Sequence, residues 1–584
     1  MMNSYELLTQ LLRERGVENV GDFLNPPLTS LHSPFLLKNM EQGIELLAKH
    51  MNNKSRIRIL VDTDADGFTS ASIMYQFIEK VSGIQCSYIT HSDKQHGLYY
   101  ELFDEHGYDF DLLICPDSSS NDVKMCKKLK DMGKDILIID HHLLETENTY
   151  AVVINNQDGQ YPNRTLVAGA VVYKFIQAFK QTYQLELDMR PYLALASLAL
   201  IGDMADLRNL ESRLMTLEGL KLFKHNEFLK EMCIKQSFAM KDKVTITTVA
   251  WSIAPLVNAV IRIASYEDKI AMFEAMCGMN KQIPYKPKKS KNNPNPVETM
   301  ESIQKYMARK CGNIKKRQDD SVKKHVQIIN DMIKEHGYDN SKMIIIEAGE
   351  LPKSYTGLVA NKLAQHYKRP CLILRRKDET SELFGGSGRN YSKFELDDLR
   401  GFLNESGLMT GVGHSNSFGA NVPASNLDKI RAYADEKLSH IEIQDVYHVD
   451  YALGLGQITT KDIMDMGMYQ DIWGGGCDEP IYALTDIFVT VDQIQLIGEK
   501  KNKLRITTKV GNQEFIFIKH FANEDYYNKI IHRTNVGFYS AKDKRFKLTI
   551  IGKFKLNEWG EGNQEGQIEI VDMTSELASN RQLF

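Results

Sequence analysis

Three aspartates, Asp62, Asp64 and Asp66, stand at alternate positions directly after the apolar run RIRIL. Three further groups of acidic or imidazole side chains follow along the chain: Asp117 in LLICPDSSS, Asp140, His141 and His142 in IIDHH, and Asp203 and Asp206 in IGDMADL. Carboxylates at this spacing repel one another unless cations lie between them. Carboxylate with imidazole and without thiolate suits Mg²⁺ or Mn²⁺ better than structural zinc. The pattern predicts two divalent ions, which in phosphoester cleavage activate a water and stabilise the leaving oxygen.

Each group also has a simpler interpretation when it is taken alone. A DxDxD run is often a solvated loop or a calcium loop, although the EF-hand pattern fails here because its twelfth loop position lacks Glu. A single aspartate after a strand, such as Asp117, is usually a turn residue or a helix N-cap. Adjacent histidines commonly lie on the surface or within a core. The four groups in this order, mostly at strand ends, favour a common site.

Short apolar runs alternate with helical segments between about 56 and 220. RIRILV, DLLICP, DILIID and YAVVIN are predicted strands, and GFTSASIMYQFIEKV and NDVKMCKKLKDMG are predicted helices. This alternation predicts an α/β domain with a parallel sheet. Ligands gather at the carboxyl ends of the strands in such sheets, so the strand-borne groups are expected to face one crevice. Asp203 and Asp206 lie in a helical region and would approach that crevice separately.

The rest of the chain predicts further units. From 227 to 333 the pattern is helical with a polar interruption near 284–297, and the stretch 285–325 is strongly basic. A second α/β pattern begins near 343, and short alternating strands dominate from about 447. The predicted units are an N-terminal helical segment at 1–50, an α/β domain at 51–225, a helical connector with a basic insertion at 226–340, a smaller α/β domain at 341–440 and a β-barrel domain at 441–584.

The composition is that of a globular protein. Among 584 residues, 42% are hydrophobic and 25% are charged. No apolar run reaches the roughly 18 residues of a membrane span, and the first residues lack a signal-peptide pattern, which predicts a cytoplasmic protein without a membrane partner. The eight cysteines are scattered without CxxC pairs, so reduced thiols are expected. The net charge of −4 gives no overall nucleic-acid signal, but the basic 285–325 stretch does so locally.

The chemistry-bearing segments resemble motifs of the DHH phosphoesterase superfamily, and in particular of RecJ-like single-stranded-DNA exonucleases. DTDADGFTSA, PDSSS and DHH are similar to the first three motifs of that family. LALIGDMADLRNLESR is similar to its fourth motif, GTVADxxPLxxENR, which makes Asp206 the better match to the motif's aspartate. APLVNAVIRI is similar to GPRINAAGRL and keeps Asn258 and Arg262.

The resemblance continues through the second half of the chain. TGLVANKLAQHYKRPCLIL is similar to the core of a DHHA1 domain, which in the family grips substrate phosphates. GGSGRN holds Ser387, Gly388 and Arg389, and GVGHSNSFGANV holds Gly413 and His414. Arginine suits phosphate because it donates two parallel hydrogen bonds. By itself, GGSGRN would indicate an ordinary glycine turn. Small departures, namely Ser118 and Ser119, Val412 and Ser417, bear on substrate fit rather than on metal ligands.

A third part of the resemblance implies an OB-like nucleic-acid-binding domain. QDIWGGGCDEPIYAL is similar to the RecJ segment that leads into this domain, and FKLNEWGEGNQEGQIEIVDM to the domain's end. OB folds bind single strands with a basic groove and stacking aromatics. The predicted contacts are Lys500, Lys501, Lys503, Lys519 and Trp559, although packing is the commoner role for a single tryptophan.

The resemblance implies a 5′-to-3′ exonuclease that hydrolyses single-stranded DNA in repair, recombination or replication, with two Mn²⁺ or Mg²⁺ ions. Asp64, Asp117 and Asp62 are expected to hold one ion. The second ion is assigned to Asp66, Asp117, His141 and Asp206. His142 would contact or protonate the scissile phosphate, Asp140 would orient the histidines, and Arg389 and His414 would clamp the phosphate.

Two alternative functions stay open at this point. One is a nanoRNase or cyclic-dinucleotide phosphodiesterase of the same superfamily, and the other is a non-catalytic DHH-type replication scaffold. A monomer that acts with a single-strand-binding protein is expected, and the diverged sequence suits a phage or mobile element. Processivity, the choice between DNA and RNA, and direct ligation by Asp62 or Asp203 do not follow from the sequence.

Overall fold

The computed structural model describes residues 4–92, 95–287, 289, 294–376, 381–443, 447–531, 545–559 and 562–577. Its first sheet contains five parallel strands in the order β2-β1-β3-β4-β5. These are β1 (Ile57–Val61), β2 (Ser87–Thr90), β3 (Leu112–Pro116), β4 (Asp135–Asp140) and β5 (Val152–Asn155). The central strands are apolar and buried along their whole length, as expected for a parallel sheet with helices on both faces. The predicted α/β fold with a parallel sheet is confirmed.

The first part of the chain contributes a set of α-helices, most of which surround this sheet. They are α1 (Ser4–Glu14), α2 (Val20–Leu24), α3 (Met40–Asn52), α4 (Ala65–Ser82), α5 (Tyr100–His106), α6 (Val123–Asp131), α7 (Ala168–Thr182), α8 (Arg190–Gly202) and α9 (Leu210–Lys221). Helix α4 packs against α7, α8 and the strands β1 and β3, which explains why it is apolar on nearly every side. Its N-cap is Asp64, whose carboxylate accepts a hydrogen bond from the Gly67 amide at 2.9 Å.

A helical connector follows, with α10 (Glu227–Lys235), α11 (Ser237–Met240), α12 (Ile246–Ser252), α13 (Ala254–Ile263), α14 (Tyr266–Met276) and α15 (Ile303–Glu335). An antiparallel hairpin, β6 (Gln282–Tyr285) and β7 (Thr299–Ser302), occupies the predicted polar interruption. Helix α15 has 33 residues and is about 50 Å long. It packs against α10, α13 and α14 and also against the next domain, so it joins the two.

The stretch 246–263 corrects the expectation that no segment is long and apolar enough to cross a membrane. By length and composition these 18 residues meet that criterion. In the structure they form two helices, α12 and α13, with a break at Ile253. Both helices pack against neighbouring helices, including α8 and α15, which accounts for their apolar composition.

The smaller α/β domain has a mixed sheet in the order β11-β12-β10-β9-β8. Its elements are β8 (Ile344–Glu347), α16 (Thr356–Tyr367), β9 (Cys371–Arg376), β10 (Leu383–Arg389), α17 (Leu399–Glu405), β11 (Thr410–His414), β12 (Ser417–Pro423) and α18 (Leu427–Lys437). Strand β10 contains GGSGR, and a Cβ on Gly388 would collide with the ring of Phe418 on β12. The glycine therefore leaves room for the Phe418 ring to lie over it on one face of the sheet.

The C-terminal domain is built on one seven-stranded sheet in the order β13-β14-β18-β19-β17-β16-β15. Its elements are β13 (Tyr451–Gly454), α19 (Thr460–Gly467), β14 (Tyr482–Thr490), β15 (Ile494–Ile497), β16 (Lys503–Val510), β17 (Gln513–His520), α20 (Glu524–Ile530), β18 (Arg545–Trp559) and β19 (Asn563–Leu577). Strands β14 and β16 are not neighbours in this order, yet the Thr508 hydroxyl on β16 donates to the Phe488 carbonyl on β14 at 2.9 Å. The sheet therefore curls back on itself.

The predicted N-terminal segment, 1–50, is divided between two cores. Leu8, Leu11 and Leu12 of α1 are buried in the core of the C-terminal domain, whereas α3 packs on the first sheet. The buried guanidinium of Arg213 on α9 lies 3.5 Å from the centre of the Phe23 ring and donates to the Ile472 carbonyl at 3.1 Å. The first and last domains are therefore joined through the N-terminal segment and the contacts of Arg213.

Candidate metal centre

The predicted acidic groups meet at one edge of the first sheet. Asp62 follows β1, Asp117 follows β3 and Asp140 ends β4, so the carboxyl ends of adjacent strands bring them together. Asp62, Asp66, Asp117 and Asp140 are each at most 2% exposed. Their ionisation here depends on nearby positive charge or hydrogen bonds, because burial alone disfavours a charged carboxylate.

His141 lies among these carboxylates. Its Nε2 atom is 3.3 Å from Asp117 Oδ1, 3.7 Å from Asp66 Oδ2 and 3.9 Å from Asp203 Oδ2. Three sets of possible ligand atoms each lie within 4.8 Å of one another: Asp62 with Asp64 and His96, Asp66 with His141 and Asp203, and Asp117 with His141 and His142. The two sets that contain His141 share that residue, and the charges of Asp62 and Asp64 act on Asp117, so the three sets form one extended cluster.

Asp117 is the strongest indication that the cluster holds cations. Among the described residues, neither of its buried carboxylate oxygens has a hydrogen-bond partner. Burial, followed by the charges of Asp66, Asp64 and Asp62, raises its pKa well above the ordinary value. An anionic group without donors is costly to bury, and divalent cations remove that cost. The oxygen and imidazole donors around it fit Mn²⁺ or Mg²⁺.

Asp66 is held by the start of helix α7. Its two carboxylate oxygens accept hydrogen bonds from the backbone amides of Ala168 and Gly169, both at 2.7 Å. The N-terminus of a helix favours a negative charge, which partly compensates for burial. Burial and the neighbouring charges of Asp203 and Asp64 nevertheless raise the pKa of Asp66 well above its ordinary value.

The two adjacent histidines are held in opposite charge states. The Asp140 carboxylate accepts from His142 Nδ1 at 2.8 Å and from the His141 backbone amide at 2.7 Å. Burial would lower the pKa of His142, but the hydrogen bond to Asp140 and its charge raise it to about 9. Burial and the nearby His142 lower the pKa of His141 to about 4. At neutral pH, His141 is a neutral potential ligand and His142 a cationic donor.

Asp203, rather than Asp206, lies in the cluster. The carboxylate of Asp206 accepts from Arg208 Nε at 2.9 Å and from its terminal nitrogen at 2.6 Å, so the Asp206 side chain is engaged away from His141. The prediction that Asp206 joins the ligand set does not match this geometry. Asp203, at the end of α8, is the acidic side chain that approaches His141. Burial and the charge of Asp64 raise the pKa of Asp203 to about 7.

His96 is a member of the cluster that sequence reasoning missed. It lies in the loop after β2 and forms an ion pair with Asp62, whose other oxygen accepts from the Gly97 amide at 3.1 Å. A signal was available, because β2 belongs to the same parallel sheet and its following loop must reach the same edge. Asp62 is therefore held by this loop, while Asp64 lies between Asp62 and the rest of the cluster.

Positive charge faces the cluster from two other elements. Arg262 stands in the last turn of α13, and the charge of Asp64 partly offsets the lowering of its pKa by burial. Arg389 ends β10, and burial together with nearby Arg262 lowers its pKa to about 10. His414, on β11, lies close enough to His141 to contribute to the lowered pKa of that imidazole. Arg262 and His414 thus lie near the acidic edge, and Arg389 lies beside Arg262.

The other predicted phosphate-binding residues lie on the same elements as these side chains, α13, β10 and β11. The Ser387 hydroxyl lies 2.8 Å from the Thr356 hydroxyl, and Gly388 packs on Phe418. Gly413 has a φ of 124°, which favours glycine. Asn258 lies one turn before Arg262 on α13.

A basic and aromatic surface lies at the end of β17. Phe521 is 93% exposed, and the charges of Glu569 and of three lysines, Lys503, Lys241 and Lys519, act on the adjacent His520. Phe238 of α11 is 98% exposed. Lys500 and Lys501 are also exposed, whereas Lys519 donates to the Val571 carbonyl. The side chain of Trp559, a predicted contact, lies outside the described residues.

Comparison with known proteins gives the class of this fold and site. Residues 56–202 match the DHH family, N-terminal domain, and residues 449–572 match the RecJ OB domain. The chain is 34% identical to a protein of Bacillus subtilis named putative SPbeta prophage-derived single-strand DNA-specific exonuclease YorK, over 98% of this chain and 96% of that protein. It is 25% identical to the single-stranded-DNA-specific exonuclease RecJ of the same bacterium, over 99% and 69% of the two chains.

Solved structures agree with this fold. The crystal structure of RecJ in complex with Mn²⁺ from Thermus thermophilus superposes with a TM-score of 0.71 at 16% identity, over 98% of this chain and 76% of that chain. A structure of the same protein with Mg²⁺ gives a TM-score of 0.62. The architecture is that of the DHH class. Within it, the chain belongs to the family that contains the exonucleases RecJ and YorK, as the sequence resemblance predicted.

Proposed function

We propose that this chain is a metal-dependent exonuclease that hydrolyses phosphodiester bonds of single-stranded DNA from the 5′ end. The observation that carries the proposal is the buried acidic cluster around His141, with Arg262 and Arg389 facing it. The printed names of the related proteins support single-stranded DNA as the substrate. The polarity is inferred from the family resemblance.

The described residues supply ligands for two ions. We assign Asp64, Asp117 and Asp62 to the first, with His96 beside them, and Asp66, Asp117, His141 and Asp203 to the second. Asp203 replaces Asp206 in this assignment because it is the carboxylate near His141. When bound, Mn²⁺ or Mg²⁺ supplies an activated water and charge stabilisation at the phosphorus.

The remaining residues orient the phosphate and move a proton. His142, cationic at neutral pH, donates a hydrogen bond or a proton to an oxygen of the scissile phosphate, and Asp140 fixes its ring through Nδ1. Arg389 and Arg262 bind non-bridging phosphate oxygens, because guanidinium matches their geometry. Ser387, Gly388, Gly413, His414 and Asn258 shape this phosphate site.

We assign the strand path to the surface around Phe521, Phe238 and Lys503. An exposed aromatic ring stacks on any base, and lysines attract the backbone without reading sequence. The proposed enzyme therefore acts with little base preference. A monomer in the cytoplasm that meets its DNA together with a single-strand-binding protein fits this arrangement, and light scattering of the purified chain tests the oligomeric state.

The decisive experiment uses single strands labelled at either end, with Mn²⁺ present. The unmodified chain should release labelled mononucleotides from the 5′ end first. His141→Ala should abolish release, whereas His440→Ala, at an exposed histidine, should retain it. Equal release in the His141 variant would refute the assigned metal centre.

The same assay separates the alternative functions. A strong preference for dinucleotides over long strands would favour a nanoRNase or a cyclic-dinucleotide phosphodiesterase. No hydrolysis and no Mn²⁺ binding in calorimetry would favour a scaffold. Release from the 3′ end would overturn the proposed polarity alone.

A further inference from the structure

A loop of the C-terminal domain, Gly474–Cys477, lies directly against the segment 203–208, which begins with Asp203. The backbone amide of Leu207 donates to the Gly475 carbonyl at 2.8 Å. Paired hydrogen bonds between Gly474 and Cys477, at 3.1 and 3.0 Å, close the loop. A backbone hydrogen bond from a tight turn of the C-terminal domain thus connects this domain to the segment that begins with Asp203, a member of the acidic cluster.

The glycines of this loop are required by the contact. A Cβ on Gly475 would lie 2.5 Å from the Met204 carbonyl oxygen and closer still to that of Ala205. A Cβ on Gly474 would lie 2.7 Å from a methyl group of Leu207. Gly476 has a φ of 73°, and its open side faces the carboxylate of Asp206. No side chain fits between the two backbones, so the loop contacts segment 203–208 with its main chain.

The segment on the other side of the contact has an unusual backbone. Helix α8 ends with the Ala205 amide bonded to the Leu200 carbonyl at 2.9 Å, and Met204 occupies the left-handed position with a φ of 55°. Glycine is the usual residue there, and another residue persists only where its surroundings fix the conformation. The docked loop is the element that packs on this turn.

Asp206 and Arg208 stabilise the same turn through hydrogen bonds within the segment 203–208. The Asp206 carboxylate accepts from the side chain and from the backbone amide of Arg208, the latter at 3.0 Å. Arg208 also donates to the Arg15 carbonyl at 3.2 Å, and Arg15 lies over the Trp473 ring, next to the glycine loop. The pair therefore links the turn to the N-terminal helices and to the C-terminal domain at once.

We propose that Gly474–Cys477 and the pair Asp206–Arg208 are positioning residues for Asp203. They hold the turn so that the Asp203 carboxylate faces His141, and they make metal affinity depend on the docking of the C-terminal domain. This inference rests on the proposed function, because Asp203 is taken as a ligand. It gives the C-terminal domain a role in the metal centre in addition to contacts with DNA.

Calorimetric titration of the metal-free full chain with Mn²⁺ tests the proposal. Gly475→Ala places a methyl group against the turn, and its matched control is Gly456→Ala in the same domain, where no described atom lies within 4 Å of the added Cβ. Gly475→Ala should raise the Kd of one ion about tenfold, as is usual when a residue that orients a ligand is changed. Gly456→Ala should leave both Kd values unchanged.

Two further readouts separate positioning from a general loss of structure. Nuclease activity of Gly475→Ala should return to the control level when Mn²⁺ is raised about tenfold, in proportion to the lost affinity. Binding of a labelled single strand in EDTA should equal that of Gly456→Ala, because that measurement does not need the metal. Reduced strand binding in EDTA, or no rescue by Mn²⁺, would overturn the positioning role.

Arg208→Gln provides a second variant. It removes the guanidinium contacts with Asp206 and Arg15 without adding bulk or removing a carboxylate. It should also raise the Kd of one ion. Unchanged Mn²⁺ affinity in both variants would overturn the inference and leave the proposed function standing. Failure of the unmodified chain to bind Mn²⁺ would overturn both, so the two failures are distinguishable.

Discussion

The acidic edge of the first sheet and the arginine-bearing end of the second sheet both contain buried ionisable side chains. In both regions, burial disfavours the charged form of these side chains. At the acidic edge, burial raises the pKa values of Asp66 and Asp117. On the opposite side, burial lowers the pKa of Arg389 to about 10. Cations relieve the first region, and phosphate oxygens relieve the second. The acidic edge therefore needs metal ions and the arginine side needs phosphate, because neither region fully neutralises the other.

The two regions also differ in construction. The carboxylates come from loops that follow parallel strands, so the sheet itself collects them. Arg389 comes from a glycine-rich strand that pairs with antiparallel neighbours on both sides, and the nearby Arg262 comes from a helix. Loss of a central carboxylate should therefore disrupt the whole cluster, whereas loss of one arginine should weaken only a phosphate contact.

The largest effect is expected for Asp117→Asn, which removes the central charge of the acidic side. Activity should fall by about 10²-fold or more, as when charge stabilisation at a reacting centre is lost. The metal-free variant should be more stable than the unmodified chain by about 1–3 kcal/mol, because asparagine carries no charge or proton-uptake cost into the buried cluster. Urea denaturation in EDTA measures the second effect.

Asp486→Asn is the matched control for that variant. Asp486 also has a positive φ, 58° against 69° for Asp117, but its side chain is 59% exposed and pairs with Lys547. The control should change neither activity nor metal-free stability appreciably. Equal stabilisation of both variants would show that backbone conformation, not the acidic cluster, is responsible.

A smaller effect is expected on the arginine side. Arg389→Lys keeps the charge but loses the paired donors, and should lower kcat/KM by about 10- to 100-fold, equivalent to about 1.5–3 kcal/mol. Arg376→Lys, at a half-exposed arginine on β9, should have little effect. Steady-state kinetics on a short single strand measure both, and equal values would remove Arg389 from the phosphate site.

The pH dependence should distinguish the two sides again. The raised pKa of Asp203, about 7, means that the folded chain binds this proton more tightly than the unfolded chain does. The corresponding stability of the metal-free protein is present below about pH 4 and is lost as the pH rises through about 7. Mn²⁺ needs the carboxylate, so the part of its affinity that depends on Asp203 should rise by up to about tenfold per pH unit below pH 7 and then level off.

Asp203→Asn should remove that part of the pH dependence, which Mn²⁺ titrations between pH 6 and 8 can measure. A slope that is unchanged in the variant would contradict the assignment. Activity should fall again above about pH 9, where His142 loses its proton.

The smallest effect is expected outside both charged regions. Phe521→Ala should weaken binding of a long single strand about fivefold, the loss of about 1 kcal/mol of stacking on one base. Leu28→Ala, another exposed apolar residue, should bind normally. Fluorescence polarisation with strands of increasing length measures the effect, and no difference between the variants would place the strand elsewhere.

The acidic edge was predictable from sequence because two simple rules apply to it. Apolar runs define the strands, and the carboxyl ends of parallel strands share one edge, so Asp62, Asp117 and Asp140 were expected together. The family and the fold class were also predicted from the motifs and are confirmed.

Other features depend on geometry that the sequence does not encode locally. Asp203 and Asp206 differ by almost one turn at a helix end, and the side chain that faces His141 depends on contacts with Arg208 and with a loop of the distant C-terminal domain. His96 approaches through a loop whose path depends on contacts with Asp62 and Asp122. The roles of individual site residues stay predictions until the variants above are measured.

The position of α1 in the core of the last domain has a consequence for biosynthesis. Ser4 donates to Asp465 across 461 positions of the chain, and Leu8, Leu11 and Leu12 have their apolar partners in the same distant domain. On the ribosome, this helix is made before the barrel strands and stays without those partners until they follow. Contacts that distant in sequence close slowly. The core of the C-terminal domain is therefore completed only when α1, made several hundred residues earlier, docks on the barrel strands.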